Sequence, residues 1–115
     1  MKFLLTILLC LAIPAFAADT AAEQALAAVK ELGMVNGQAL ACDAGDQAQR
    51  AKALMLAHAP KTQAYGDAFQ AGTQEGFAAQ TRGQPSDCPP AEALAGRLEQ
   101  IEARLRQALP APGAR

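Results

Sequence analysis

Large apolar side chains are scarce in this sequence beyond its first 17 residues. Residues 18–115 contain 14 Leu, Ile, Val and Phe in total, whereas Ala occupies 29 of the 115 positions. The share of Leu, Ile, Val and Phe in residues 18–115 therefore lies below the roughly 20% typical of chains that build a core easily. Without Lys2 the chain has 9 basic and 11 acidic residues, so its net charge of −2 is too small to favour disorder. The composition predicts one small domain with a thin core that needs additional support.

The first 17 residues have the pattern of a cleavable export signal. Lys2 provides a positive start, residues 3–13 are almost wholly apolar, and the small residues Ala15 and Ala17 mark a cut before Ala18. Eleven helical residues span about 16 Å, half of a bilayer core, so the pattern predicts removal rather than a stable membrane span. We expect a periplasmic or secreted protein with a bacterial type of signal.

Two of the three cysteines are expected to remain after cleavage. Cys10 lies within the signal, and Leu9 occupies the place where a lipid-attachment motif has a small residue. In an exported protein an even cysteine count favours a disulfide, and Cys42 and Cys88 allow one intramolecular pairing. Closing a loop of about 46 residues between them would stabilise the fold by about 4 kcal/mol in the loop-entropy model. The pair is therefore predicted to support the thin core.

Other roles for the two cysteines are a redox pair, an intermolecular thiol or a metal site. Neither Cys42 nor Cys88 belongs to a C-x-x-C motif, and Pro89 and Pro90 stiffen the chain after the second cysteine. Two cysteines and the single His58 fall short of the four ligands of a tetrahedral site. We expect a structural disulfide, with no metal and no cofactor.

The helical signals predict an all-α fold, a small bundle of about four helices with irregular connectors, stapled by one disulfide after the signal peptide is removed. A capping box at Thr20 opens the first helix, Gly33 is a plausible stop, and a short helix follows from Gly37 to Cys42. The further predicted helices cover residues 47–58, 62–81 and 90–109, with Asp46 and Thr62 as N-caps for two of them. The predicted organisation is a signal peptide at 1–17, one helical domain at 18–109 and a flexible tail at 110–115.

The last predicted helix has the clearest pattern in the chain. Its large apolar residues recur at helical spacing along one narrow stripe, Leu94, Leu98, Ile101, Leu105 and Leu109. The stripe covers fewer than three heptads, so it suits the domain's own core better than an oligomer seam. We therefore favour a monomer, with an oligomeric component of the cell envelope as an alternative.

The third predicted helix contains an unusual number of glycines. Each of Gly66, Gly72 and Gly76 costs about 1 kcal/mol relative to Ala inside a helix. They indicate either local weakness or, for Gly72 and Gly76, a face that a neighbouring helix can approach closely.

Residues for catalysis are few. His58 is the one histidine and Ser86 the one serine, and the serine lies in a Pro-flanked loop without a nucleophile-elbow pattern. Asp43 and Asp46 lack the further oxygen ligands of a calcium loop. The absence of a basic excess argues against nucleic-acid binding. We expect a non-enzymatic protein.

The connector after the second helix is a candidate contact loop. It combines a titratable His58, a rigid Pro60 and a cationic Lys61, and Tyr65 follows one turn along the next helix. An aromatic anchor of this kind is common where proteins meet. An ordinary helix–helix connector is the alternative interpretation.

Three functions are compatible with these features. The first is a small exported accessory protein that binds protein partners in the cell envelope. The second rests on a resemblance, because from Ala41 to Leu109 the chain is similar to the small acid-stress chaperones of bacterial envelopes, which are short, helical and tied by one disulfide over a comparable cysteine separation. Its low Lys content departs from that group. The resemblance implies that acid loosens the chain and exposes apolar helix faces. The third is the oligomeric envelope component.

Overall fold

The structure, a computed structural model, describes residues 17–109, with side chains from residue 21 onward. It contains four α-helices and one 3₁₀ turn, and within this range no strand occurs. Their bounds are α1 (Ala17–Ala41), α2 (Gly45–His58), α3 (Gln63–Arg82), the 3₁₀ turn (Pro85–Asp87) and α4 (Ala91–Ala108). The predicted all-α fold with four principal helices is confirmed.

The predicted terminal segments lie almost entirely outside the described residues. This applies to the signal peptide at 1–17, of which Ala17 alone is described, and to the tail at 110–115. The cut before Ala18, the loss of Cys10 and the periplasmic or secreted location therefore remain predictions.

Helix α1 is the centre of the bundle. Helix α3 packs on one of its faces, and α2 and α4 pack on another face and against each other. Helices α1 and α3 run parallel, because Gly33 lies beside Phe69 while Gly37, one turn later, lies beside Thr73 and Phe77. Helices α2 and α4 run antiparallel to α1.

The large aliphatic side chains of the core come mainly from α1 and α4. Leu32 and Val35 of α1 are fully buried, and the predicted stripe of α4 is buried along its whole length, at Leu94, Leu98, Ile101, Leu105 and Leu109. Helix α2 adds Ala48, Ala51 and Leu54. The stripe thus packs in the chain's own core, as favoured.

The prediction for the first helix was wrong in two places. Helix α1 begins at Ala17, so Thr20 lies inside it rather than at its N-cap, and it continues through Gly33 and Gly37 to Ala41. A glycine weakens a helix but does not end it when the surrounding packing favours continuation. Here the two glycines contact α3, so that a predicted stop and turn are instead a helix–helix contact.

A left-handed residue ends α1. Asp43 has a φ of 56°, and the N–H of Ala44 donates to the carbonyl of Ala39 over 2.8 Å. The N–H of Asp43 donates to Leu40, which completes a Schellman motif with Asp in the position that Gly usually takes. Helix α2 then begins at Gly45, so the predicted N-cap at Asp46 is wrong and that residue lies in the first turn.

Helices α2 and α3 are joined by a short connector that begins after His58. Thr62 occupies the predicted N-cap position of α3, but its side chain makes no capping hydrogen bond. Instead, its N–H donates to the carbonyl of Pro60 and its carbonyl accepts from the N–H of Gly66. These two backbone hydrogen bonds lead the chain into α3.

Candidate functional site at the disulfide end

One end of the bundle is closed by the two cysteines, and we call it the disulfide end. Cys42 directly follows α1 and Cys88 directly follows the 3₁₀ turn, with their Cα atoms 5.7 Å apart and their sulfurs at bonding distance. The predicted pairing is confirmed. The connector at 59–62 lies at the opposite end of the bundle, which we call the loop end.

A seam of four glycines joins α1 to α3. Gly33 and Gly37 of α1 are spaced four apart and face α3, and Gly72 and Gly76 are spaced equally and face α1. A Cβ at Gly76 would overlap the carbonyl oxygen of Met34 and lie 2.8 Å from its Cα. Small residues at this spacing form one helix face and let two backbones approach closely. Of the two predicted roles for Gly72 and Gly76, close approach is confirmed.

One buried polar group lies within this seam. Asn36 is 2% exposed, and its Nδ2 donates to Thr73 Oγ1 over 3.1 Å. The threonine hydroxyl in turn donates to the carbonyl of Phe69 over 2.9 Å. Asn36 Oδ1 has no hydrogen-bond partner within the described residues. The bond from Asn36 to Thr73 fixes the register of the two helices, because a shift by one turn would break it.

A chain of polar side chains runs from the seam to the disulfide. Gln38 Nε2 donates to Gln80 Oε1 over 2.8 Å, and Gln80 Nε2 donates to Cys88 Sγ over 3.5 Å. Arg97 of α4 donates to Gln38 Oε1 over 2.7 Å. These contacts connect α1, α3, α4 and the segment before α4 at a single place. Gln80 is therefore the residue through which α3 contacts the disulfide.

Two open grooves flank the disulfide. The first has a volume of about 460 Å³ and is lined by Ala41, Cys42, Asp43, Gln80, Thr81, Gly83, Gln84, Pro85 and Cys88. The second, of about 480 Å³, is lined by Cys42, Asp43, Ala44, Gly45, Asp46, Gln47, Pro89 and Ala91. Cys42 therefore borders both grooves, whereas Cys88 borders the first.

Two large apolar side chains remain exposed on α1 and α3 about one turn or less from residues that line the first groove, Ala41 and Thr81. Leu40 is 46% exposed and Phe77 is 45% exposed. They follow Asn36 and Thr73 by four residues on their respective helices, so they continue the same row of the seam one turn closer to the disulfide. Asn36 is buried in this row, whereas Leu40 and Phe77 at its end are partly exposed to solvent.

Ion pairs with glutamate connect the helices across the bundle. Lys30 of α1 lies 3.1 Å from Glu75 of α3, and Arg104 of α4 pairs with Glu31 of α1. Glu102 of α4 lies 3.8 Å from Arg50 of α2, and it also accepts from Arg106 over 2.6 Å within its own helix. Apart from Glu102, the partners are about half exposed or more, so pairs of this kind contribute about 1 kcal/mol or less.

The predicted contact residues lie at the loop end. Lys61 is exposed, whereas His58 and Pro60 are half-buried and Ala59 between them is buried in the core. Tyr65 is half-buried and packs against the core, so part of its surface stabilises the fold. Because α2 is about 20 Å long, His58 and the two cysteines occupy different sites at opposite ends of the molecule.

The residues considered for chemistry are not brought together. His58 ends α2 at the loop end, while Ser86 lies in the 3₁₀ turn at the disulfide end. Across residues 17–109 no group of three or more His, Cys, Asp and Glu side chains is arranged to hold a metal ion. No helix in the described part of the chain has the length and apolarity needed to cross a membrane.

The polar residues of the disulfide end were not predicted from the sequence. Gln38 and Gln80 were not identified, nor were the exposed Leu40 and Phe77. One sequence signal pointed to Gln80, because it follows Gly76 by four residues and therefore shares the glycine face of α3.

The chain matches no protein-family model, and neither the curated proteins nor the solved structures contain a significant match.

Proposed function

We propose that the chain is a small exported helical accessory protein that binds a protein partner in the bacterial periplasm or outside the cell. The observation that carries the proposal is the pair of exposed apolar side chains, Leu40 and Phe77. Leu40 directly precedes Ala41 of the groove lining, and Phe77 lies one helical turn before Thr81 of the same lining. Exposed apolar side chains that adjoin each other and are rimmed by polar groups are typical of protein interaction sites.

The chemistry of the groove favours an extended polypeptide as the bound element. The side chains of Gln80, Gln84 and Thr81 line it and offer amide and hydroxyl groups, and Asp43 is the one charged residue among its lining residues. Amides and hydroxyls can satisfy the N–H and C=O groups of a peptide backbone. An apolar side chain of the same peptide would cover Leu40 and Phe77.

Site-specific photocrosslinking tests this proposal. A photoreactive phenylalanine analogue is placed at Phe77, with matched positions at Ala71 on another face of α3 and at Lys61 at the loop end. In envelope extract we expect one partner to crosslink at position 77, to be displaced by excess wild-type protein, and not to be displaced by the Leu40→Gln variant. Crosslinking at position 61 alone would move the site to His58, Pro60, Lys61 and Tyr65. Equal crosslinking at all three positions would contradict a defined site.

Export is a separate part of the proposal and has its own test. The intact mass of the natively produced protein is measured after alkylation, with and without reduction. A chain that begins at Ala18 and takes up label on two thiols after reduction supports export and cleavage. A chain that retains Met1 would contradict them.

A second candidate function, an acid-stress chaperone, is supported by the thin core and the charge composition. In strong acid carboxylates are neutral, which leaves the 9 basic residues outside the signal to repel one another across a core with few large side chains. The loosened chain would expose apolar helix faces to unfolding clients.

Aggregation of an acid-sensitive client measures this second function. Suppression is expected at about pH 2.5 and not at pH 7. Equal suppression at the two pH values would contradict the chaperone hypothesis.

A further inference from the structure

We infer that the Cys42–Cys88 bond is a site of thiol–disulfide exchange that opens in one direction: a small thiol attacks Cys42 Sγ, and Cys88 departs as the thiolate. This inference goes beyond the proposed partner binding and does not depend on it. It rests on the different surroundings of the two sulfurs and on their access to solvent.

The surroundings of Cys88 favour a negative charge on its sulfur. Gln80 Nε2 already donates a hydrogen bond to Cys88 Sγ over 3.5 Å. Gln38 Nε2 holds the Gln80 side chain in place by donating to its Oε1. Cys88 also lies two residues before Pro90, the N-cap of α4. The N-terminus of a helix carries partial positive charge, which stabilises a thiolate.

The surroundings of Cys42 disfavour the same charge. Cys42 follows the last residue of α1, and its own N–H bonds to the carbonyl of Gln38 within the final turn. The C-terminus of a helix carries partial negative charge. Asp43 and Asp46 border the second groove with Cys42 and add two carboxylates. Asp43 also lines the first groove, which Cys88 shares, so Asp46 is the carboxylate found on the Cys42 side alone. The thiol with the more stable thiolate is the better leaving group, so Cys88 is the sulfur that departs.

Access favours attack at Cys42 as well. Both cysteines are half-buried, but Cys42 borders both grooves, whereas Cys88 borders the first and is followed by Pro89 and Pro90. The carboxylates of Asp43 and Asp46 repel an anionic thiol and attract a cationic one. The thiol that this site accepts best is therefore a small aminothiol.

The disulfide opens in two successive exchange steps. The thiolate R–S⁻ forms a bond to Cys42 Sγ while the Cys42–Cys88 bond breaks, and its electron pair goes to Cys88 Sγ. The product is a mixed disulfide on Cys42 and a thiolate on Cys88 that accepts the hydrogen bond from Gln80. A second R–S⁻ then attacks the mixed disulfide, releases the Cys42 thiolate and leaves as R–S–S–R.

Kinetic trapping measures the direction of opening. The oxidised protein is exposed briefly to cysteamine, the reaction is then quenched with excess iodoacetamide, and peptide mass mapping locates the cysteamine and the alkyl group. We expect cysteamine on Cys42 with alkylated Cys88 to exceed the reverse product by about five-fold or more. The ratio should approach one in concentrated denaturant, because the helix ends and the Gln80 contact are then lost.

Variants and a second thiol separate the effect of the Gln80 hydrogen bond from the effect of the nearby carboxylates. Gln80→Leu removes the hydrogen bond to Cys88 and should lower the ratio, whereas Gln74→Leu, an exposed glutamine of the same helix, should leave it unchanged. At low salt cysteamine should open the bond faster than the anionic mercaptopropionate, and Asp43→Asn should reduce that difference. Equal products from the folded wild type, or an excess of cysteamine on Cys88, would overturn the inference whether or not the variants fold.

Discussion

One face of α1 packs side chains against α2 and α4, while another packs its backbone against α3. On the first face, fully buried residues such as Leu32 and Leu98 fill the space between the helices. On the second, Gly33, Gly37, Gly72 and Gly76 bring the helices together, and the sole buried residues of α3 within the described range are glycines. The chain thus uses its fully buried large side chains between α1, α2 and α4, whereas α3 adds half-buried side chains, Tyr65, Ala68 and Phe69.

The contrast predicts two kinds of stability. Apolar burial stabilises the first face at about 25 cal/mol per Å². The glycine face depends on close backbone packing, the bond from Asn36 to Thr73, the Lys30–Glu75 ion pair and the disulfide beyond the end of α3. We expect α3 to open locally before the rest of the bundle unfolds.

The largest effect is expected in the aliphatic core. Leu98→Ala removes a fully buried side chain and leaves a cavity between α1 and α4, so the free energy of unfolding should fall by about 2–5 kcal/mol. Urea unfolding followed by circular dichroism measures it. Leu56→Ala, at a side chain that is 71% exposed, is the matched control and should change stability by about 0.5 kcal/mol or less. Equal losses would contradict the assignment of the core.

Removal of the disulfide should have the next largest effect. The double variant Cys42→Ser and Cys88→Ser releases the loop restraint on the unfolded chain, so the free energy of unfolding should fall by about 2–4 kcal/mol. Hydrogen exchange should increase most at the C-terminal end of α3, whose Gln80 contacts Cys88. A uniform increase over all four helices would instead indicate that the bond stabilises the whole bundle equally.

The glycine seam is tested by two glycines of α3 that differ in their surroundings. Gly76→Ala places a Cβ against the backbone of Met34, which must move, so we expect a loss of about 2 kcal/mol. Gly66→Ala meets nothing within 4 Å and should increase stability by about 0.5–1 kcal/mol. Denaturant unfolding measures both, and hydrogen exchange should show faster exchange in α3 than in α4 for the first variant. A gain from Gly76→Ala would refute close packing at the seam.

The same contrast explains what could be predicted from the sequence. The aliphatic face was predictable, because the spacing of Leu94 to Leu109 carries its own periodic signal. The glycine face was not predictable, because a glycine that ends a helix and a glycine that contacts a neighbouring helix look alike in a sequence, as at Gly33. What distinguishes them is a partner with equal spacing 39 residues later, at Gly72 and Gly76. The disulfide followed from cysteine parity, but the polar contact from Gln80 depends on packing between elements distant in sequence.

The smallest expected effect concerns the turn where the two faces of α1 end. Asp43 holds a φ of 56°, a conformation that costs a residue with a Cβ about 1 kcal/mol and glycine very little. Asp43→Gly should therefore increase the free energy of unfolding by about 0.5–1 kcal/mol, partly offset by the greater entropy of glycine in the unfolded chain. Thermal and urea unfolding measure the gain, with Asp43→Ala as the control that removes the carboxylate but keeps the Cβ. If the two variants were equally stable, the carboxylate rather than the backbone conformation would determine the effect. A gain for Gly alone would show that the left-handed conformation at position 43 is what costs the chain free energy.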